Sequence, residues 1–162
     1  GQGFEKGAMF LPQLLMSAEA AKAAFEALKA HMDTAGQPPG KKDKIILATV
    51  KGDIHDIGKN IVKVLLENYG YDVIDLGKDV DPALVAETAR REGVRLCGLS
   101  ALMTTTVPAM RETIALLKKE APGVAVVVGG AVLTQAYADQ IGADHYAPDA
   151  MATVRVAQRV LG

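Results

Sequence analysis

Two hydrophobic periods divide the chain. Between residues 11 and 32, apolar side chains recur at Leu14, Ala18, Ala21, Phe25, Leu28 and Met32, at spacings of 4, 3, 4, 3 and 4. That is the single stripe of an amphipathic helix, with Glu19, Lys22, Glu26 and Lys29 on its polar face. Pro12 suits its first turn. A lone helix cannot bury such a stripe, so it needs further helices, the following domain, or both. Gly36, Pro38, Pro39 and Gly40 then break any helix or central strand and mark 36–43 as a linker. From Lys44 onward the period changes. Short apolar runs at 45–50, 71–76, 95–100, 124–128 and 143–146 read as strands. Helical patterns follow each, at 57–69, 81–92, 106–120, 131–141 and 149–161. Gly70 is placed to end the first of these helices and Asp81-Pro82 to begin the second.

Strands alternating with helices predict an α/β fold: a five-stranded parallel sheet with flanking helices on both faces. Its expected strand order is 2-1-3-4-5, flavodoxin-like (Rossmann-like). The crevice should lie beside strand 1, where the winding reverses. The expected organisation is a helical segment over 1–35, a linker over 36–43 and an α/β domain over 44–162.

Composition narrows the function classes. Aromatic residues make up 4% with no Trp, and net charge is -1. Stacking platforms and a basic face are both missing, so no nucleic-acid partner is expected. No apolar run has the length of a membrane span and no signal peptide is visible, so no membrane partner is expected and the cytoplasm is the expected location. Cys97, the single cysteine, sits in the apolar run Leu96-Cys97-Gly98-Leu99 and reads as a small core side chain. The chain begins Gly1-Gln2-Gly3-Phe4, without Met, and is expected to be a piece of a longer polypeptide.

Three stretches fall at the carboxyl ends of strands 1, 3 and 4: Asp53-Ile54-His55-Asp56-Ile57-Gly58, Ser100-Ala101-Leu102-Met103-Thr104-Thr105-Thr106, and Gly129-Gly130. In this fold they line one crevice. His55 could be a loop residue that hydrogen-bonds locally. Asp53, two residues earlier, could instead accept from Nδ1–H and leave Nε2 for a metal, and Asp56 is the alternative partner or a helix cap. One His with two carboxylates is a poor zinc site, because zinc takes about four ligands. A metal already held by a macrocycle needs only one; haem and corrinoids both qualify. Gly58, Gly129 and Gly130 could be turn glycines or could let a backbone approach a ligand. The three threonines could simply cap the helix that contains Pro108.

Together, Asp53-x-His55-x-x-Gly58, Ser100-x-Leu102 and Gly129-Gly130 resemble the cobalamin-binding signature of methionine synthase and related corrinoid methyltransfer proteins. Forty-one residues separate Gly58 from Ser100 and 26 separate Leu102 from Gly129, matching the family pattern. The string from Ala48 to Val62 is similar to methionine synthase almost letter for letter, and Phe10-Leu11-Pro12-Gln13 resembles the end of its helical cap. The resemblance implies that 1–35 is a partial helical cap. It implies cobalamin (methylcobalamin) bound base-off, with His55 as the lower axial cobalt ligand. It makes Asp53 the partner of His55 and Thr106 the next hydroxyl of the relay. Ser100 would meet the buried benzimidazole, Leu102, Gly129 and Gly130 would line the channel for the nucleotide tail, and Gly58 and Thr104 would belong to the same cofactor site. Phe10 would shield the upper face.

The function so implied is methyl carriage on cobalt, from methyltetrahydrofolate to homocysteine, as a fragment of a cobalamin-dependent methyltransferase. The alternative is a corrinoid carrier of a methanol- or methylamine-type methyltransferase system. Either needs substrate domains or subunits that present donor and acceptor, and a reductive activation partner. A phosphate-switched receiver shares the layout but wants an Asp at the end of strand 3, where Ser100 stands. A flavin carrier expects a hydroxyl-rich loop after strand 1, which Asp53-Ile54-His55 is not.

Overall fold

The computed structural model describes Met16, residues 18–24, 26–27 and 43–162. The described residues between 16 and 27 are helical, as the stripe predicts. Phe10, Leu14, Phe25, Leu28, Met32 and the linker glycines and prolines lie outside the described residues.

Five strands form one parallel sheet: β1 (Lys44–Thr49), β2 (Asp72–Asp75), β3 (Leu96–Ser100), β4 (Ala125–Gly129) and β5 (His145–Tyr146). Their order is β2-β1-β3-β4-β5, the flavodoxin-like one. The helices are α1 (Ile57–Asn68), α2 (Pro82–Glu92), α3 (Val107–Glu120), α4 (Gln135–Gln140) and α5 (Ala150–Leu161). The central strands are buried on both faces, which is why they read as continuous apolar runs. Alternation still sorts their side chains. Ile46, Ala48, Cys97, Leu99, Val126 and Val128 pack with Val85 and Ala86 of α2 and Met110, Ile114 and Leu117 of α3. Ile45, Leu47, Leu96 and Val127 pack with Leu66 of α1 and Val154, Ala157 and Leu161 of α5.

Cys97 is fully buried, and burial pushes its thiol up to about 12, so it is a core side chain. Gly70 follows the end of α1 with φ +89°, a conformation that favours glycine. Asp81 and Asp149 accept the amides of Ala83 and Ala152 and so open α2 and α5. Asp56 precedes α1 without a side-chain capping bond.

Several expected elements are shorter than the pattern suggested. The helix predicted over 131–141 begins only at Gln135, because Leu133 N–H closes a turn on Gly130 and Thr134 then caps. The fifth strand keeps two residues at the sheet edge. Among the described residues, no helix is long and apolar enough to cross a membrane.

Register brings Thr49, Ser100 and Gly129 level on adjacent strands. The chain leaves β1 toward β2 on one side and returns to β3 on the other. The chain after β1 enters α1 on one face of the sheet and the chain after β3 enters α3 on the other, and the loops after β1, β3 and β4 border a crevice on the α1 side.

Candidate functional site

The loop after β1 begins with a turn, Val50-Lys51-Gly52-Asp53, closed by Asp53 N–H on the Val50 carbonyl at 3.0 Å. Gly52 takes φ +84° at the third position, as a type II turn requires. The turn sends the Asp53 side chain inward, where it is fully buried. Its Oδ1 accepts the His55 amide at 2.9 Å and lies 2.8 Å from His55 Nδ1. Its Oδ2 accepts the Leu102 amide at 2.8 Å and the Thr106 hydroxyl at 2.9 Å. Burial works to raise this carboxyl. The Leu102 and His55 amides, the imidazole and the Thr106 hydroxyl outweigh it and hold the group far below the usual carboxylate range. Asp53 is therefore ionised and can only accept. In their hydrogen bond Nδ1 is therefore the donor, and in a neutral ring so bonded Nε2 keeps a free lone pair. The His55 side chain is 44% exposed.

Beneath the loop, among β1, β3, β4, α1 and α5, runs a cavity of about 760 Å³ with a mostly apolar wall. His55, Gly58, Ser100, Leu102, Gly129 and Gly130 all line it. Thr106 lies behind it, against Asp53. Thr104 is exposed and does not line it. Phe10 lies outside the described residues.

The glycines differ in what they require. A Cβ on Gly130, whose φ is +141°, would fall 1.7 Å from the Ala101 carbonyl oxygen. One on Gly129 would lie 3.2 Å from the Ala147 carbonyl oxygen. A Cβ on Gly58 would meet nothing within 4 Å, so no contact within the protein calls for glycine there. Ile54 and Ile57 stand 63% and 50% exposed beside His55.

These residues fit a corrinoid. No cluster of three or more His, Cys, Asp or Glu able to hold a bare metal ion exists among the described residues. A single imidazole without neighbouring ligand side chains suits a metal already held by a macrocycle. The mostly apolar cavity of about 760 Å³ leaves room for an extended tail.

Three features escaped the sequence pattern. Lys59 lines the cavity, 4% exposed, and is ion-paired with Asp75 of β2. Asp79, exposed, grips the turn before His55. Tyr146 lines the cavity and donates its hydroxyl to the Leu133 carbonyl at 2.9 Å. The sequence did carry one signal: an Asp set between Ile74 and Leu76, on the inward side of its strand end, implies a cation nearby.

A doubly wound sheet that presents one imidazole, bonded to a buried carboxylate beside a mostly apolar cavity, suits a macrocycle-bound metal. The chain belongs to the B12 binding domain family, which matches residues 43–155; a second B12 binding domain model matches residues 1–29. Its cofactor is a corrinoid of the cobalamin type. Dimethylamine corrinoid protein 1 of Methanosarcina acetivorans is 46% identical over 160 residues, 98% of this chain and 75% of that protein. The crystal structure of a cobalamin-binding protein from Desulfitobacterium hafniense superposes with a TM-score of 0.85 at 34% identity, over 100% of this chain and 76% of that one. The methanol:cobalamin methyltransferase complex of Methanosarcina barkeri contains a chain similar at 31% identity, with a TM-score of 0.76, over 99% of this chain and 62% of that one.

Proposed function

We propose that this chain is the corrinoid carrier of a methylamine- or methanol-type methyltransfer system. The observation that carries the reading is the Thr106–Asp53–His55 chain of hydrogen bonds, which ends in one imidazole at the mouth of the cavity. A bound corrinoid would supply a cobalt able to carry a methyl group. Of the two systems drawn from the sequence, the similarity to dimethylamine corrinoid proteins supports the carrier over a methionine synthase module.

His55 Nε2 would hold the cobalt of the corrinoid. Asp53 fixes the ring and keeps the Nδ1 proton, and Thr106 in turn holds Asp53. Ser100, Leu102, Gly58, Gly129 and Gly130 would line the space for the tail. Residues 1–35 would form part of a helical cap, with Phe10 toward the upper face, joined by a linker over 36–43 to the cofactor domain over 44–162. Activation of the donor and acceptor would fall to methyltransferase subunits, as in the methanol:cobalamin methyltransferase complex, and a reductive partner would restore oxidised cofactor.

The test is the absorption spectrum of reconstituted His55→Ala. Loss of the base-off, His-ligated spectrum with weaker corrinoid binding is expected; an unchanged spectrum would overturn the ligand assignment. Methyl transfer assayed with methylamine, methanol and methyltetrahydrofolate, each with its own methyltransferase, separates the systems.

A further inference from the structure

Asp79 lies in the loop after β2, away from the cavity wall, and nothing in the cofactor signature includes it. It is the single residue other than glycine with positive φ, +51°, among the described residues. Such a conformation is unfavourable for a residue with a Cβ, and glycine would adopt it freely. Asp79 makes two bonds across the loops. Its Oδ1 accepts the Gly52 amide at 2.7 Å, and its own amide donates to the Asp53 carbonyl at 2.9 Å. The second bond is open to any residue with an amide. The first needs a carboxylate or amide side chain at this position.

The two bonds fall on consecutive residues of the turn that aims Asp53 inward. Asp53 N–H is closed on Val50 and its carbonyl on Asp79, so its backbone is fixed at both ends. Leu102, Thr106 and His55 hold only its side chain. The loop that carries Asp79 is itself anchored. Thr49 N–H donates to the Gly77 carbonyl at 2.9 Å, and Val80 N–H donates to the Thr49 carbonyl at 3.1 Å. The β2 loop thereby lies along the end of β1 as a rigid brace.

We propose that Asp79 is a positioning residue for His55, clasping the Gly52–Asp53 turn so that the buried carboxylate meets Nδ1 and the ring is presented in one orientation. The inference rests on the reading of His55 as the axial ligand for its functional meaning, but the clasp itself can be read without cofactor.

Three variants separate the contributions. Asp79→Asn keeps an acceptor and tolerates the left-handed backbone. Asp79→Gly keeps the backbone and removes the acceptor. Asp79→Ala removes the acceptor and strains the backbone. In the apo-protein, the His55 Nδ1 proton is followed by proton NMR, assigned by its disappearance in His55→Ala. Asp79→Gly and Asp79→Ala are expected to speed its exchange with water about tenfold and to weaken corrinoid binding about tenfold, a common effect of losing a partner of a metal-binding His. Asp79→Asn should restore both, and Lys78→Ala in the same loop should change neither.

Wild-type exchange and binding in Asp79→Gly would overturn the proposal, whether or not Asp79→Ala is impaired. So would a lower melting temperature with the His55 proton unaffected, which would make Asp79 merely structural. Failure of the ligand reading looks different: His55→Ala would keep the corrinoid spectrum while the Asp79 variants still lose the protected proton.

Discussion

Lys59, in the first turn of α1, is ion-paired with Asp75 at the end of β2, and the lysine keeps only 4% of its surface exposed. Asp75 also accepts the Gly77 amide at 2.9 Å and lies 3.9 Å from Lys63. A cation at a helix N-terminus is opposed by the helix dipole, and here the carboxylate offsets it. Removing one partner strands the other charge away from water. Asp75→Ala should cost about 3 kcal/mol in urea unfolding of the apo-protein. The double variant Asp75→Ala, Lys59→Met should cost clearly less than the sum of the single changes, because the buried ammonium is gone.

The same pair sets a pH dependence. Burial works to raise the Asp75 carboxyl, but Lys59, the Gly77 amide and Lys63 together lower it below its ordinary value. A carboxylate depressed on folding stabilises fully above its unfolded value of about 3.9. That contribution is lost as pH falls through the folded value. Apo-protein stability should therefore drop below about pH 4. Asp75→Asn should be less stable at neutral pH and should show a shallower acid decline. Parallel declines in the two proteins would show that Asp75 does not govern it.

Thr106 offers one hydroxyl proton to two oxygens, Asp53 Oδ2 and the Met103 carbonyl, each at 2.9 Å. The ionised carboxylate is the stronger acceptor. Thr106→Val keeps the shape and removes the proton, so it should cost about 1–2 kcal/mol of stability. Asp53→Asn goes further, because an amide NH₂ would face donors where a carboxylate oxygen now accepts. It should cost about 2–3 kcal/mol and lower corrinoid affinity 10- to 100-fold. Equilibrium unfolding and corrinoid titration measure the two effects separately.

What the sequence made legible was periodic or local. The apolar runs of β1, β3 and β4 had to be strands buried on both faces, and the alternation with helices implied the sheet order. Asp53 and His55 are two residues apart, so their contact could be anticipated from the loop alone. The ends of elements were less legible, because side-chain bonds decide them. Thr134 starts α4 late, while the Thr106 hydroxyl turns to Asp53 and leaves α3 without a side-chain cap. Lys59–Asp75 and Asp79–Gly52 join residues 16 and 27 positions apart on different elements. No periodicity encodes such pairs; only the register of β2 against β1 brings them together.

Gly58 and Gly130 both line the cavity, yet they should respond in opposite ways to the same methyl group. Gly130 has φ +141°, and a Cβ there would overlap the Ala101 carbonyl oxygen. Gly130→Ala should therefore destabilise the apo-protein by about 3 kcal/mol or more, from backbone strain and overpacking together. Gly58 has ordinary helical backbone in α1 and open space where a Cβ would go. Gly58→Ala should leave apo stability unchanged or raise it by up to about 1 kcal/mol through helix propensity. The added methyl would still occupy space facing the cavity. Corrinoid affinity should fall about tenfold or more, at the overpacking cost of about 1–3 kcal/mol. A variant that folds as well as the parent and binds less well locates the glycine requirement in the ligand. Equal binding by Gly58→Ala would place the cofactor elsewhere in the cavity.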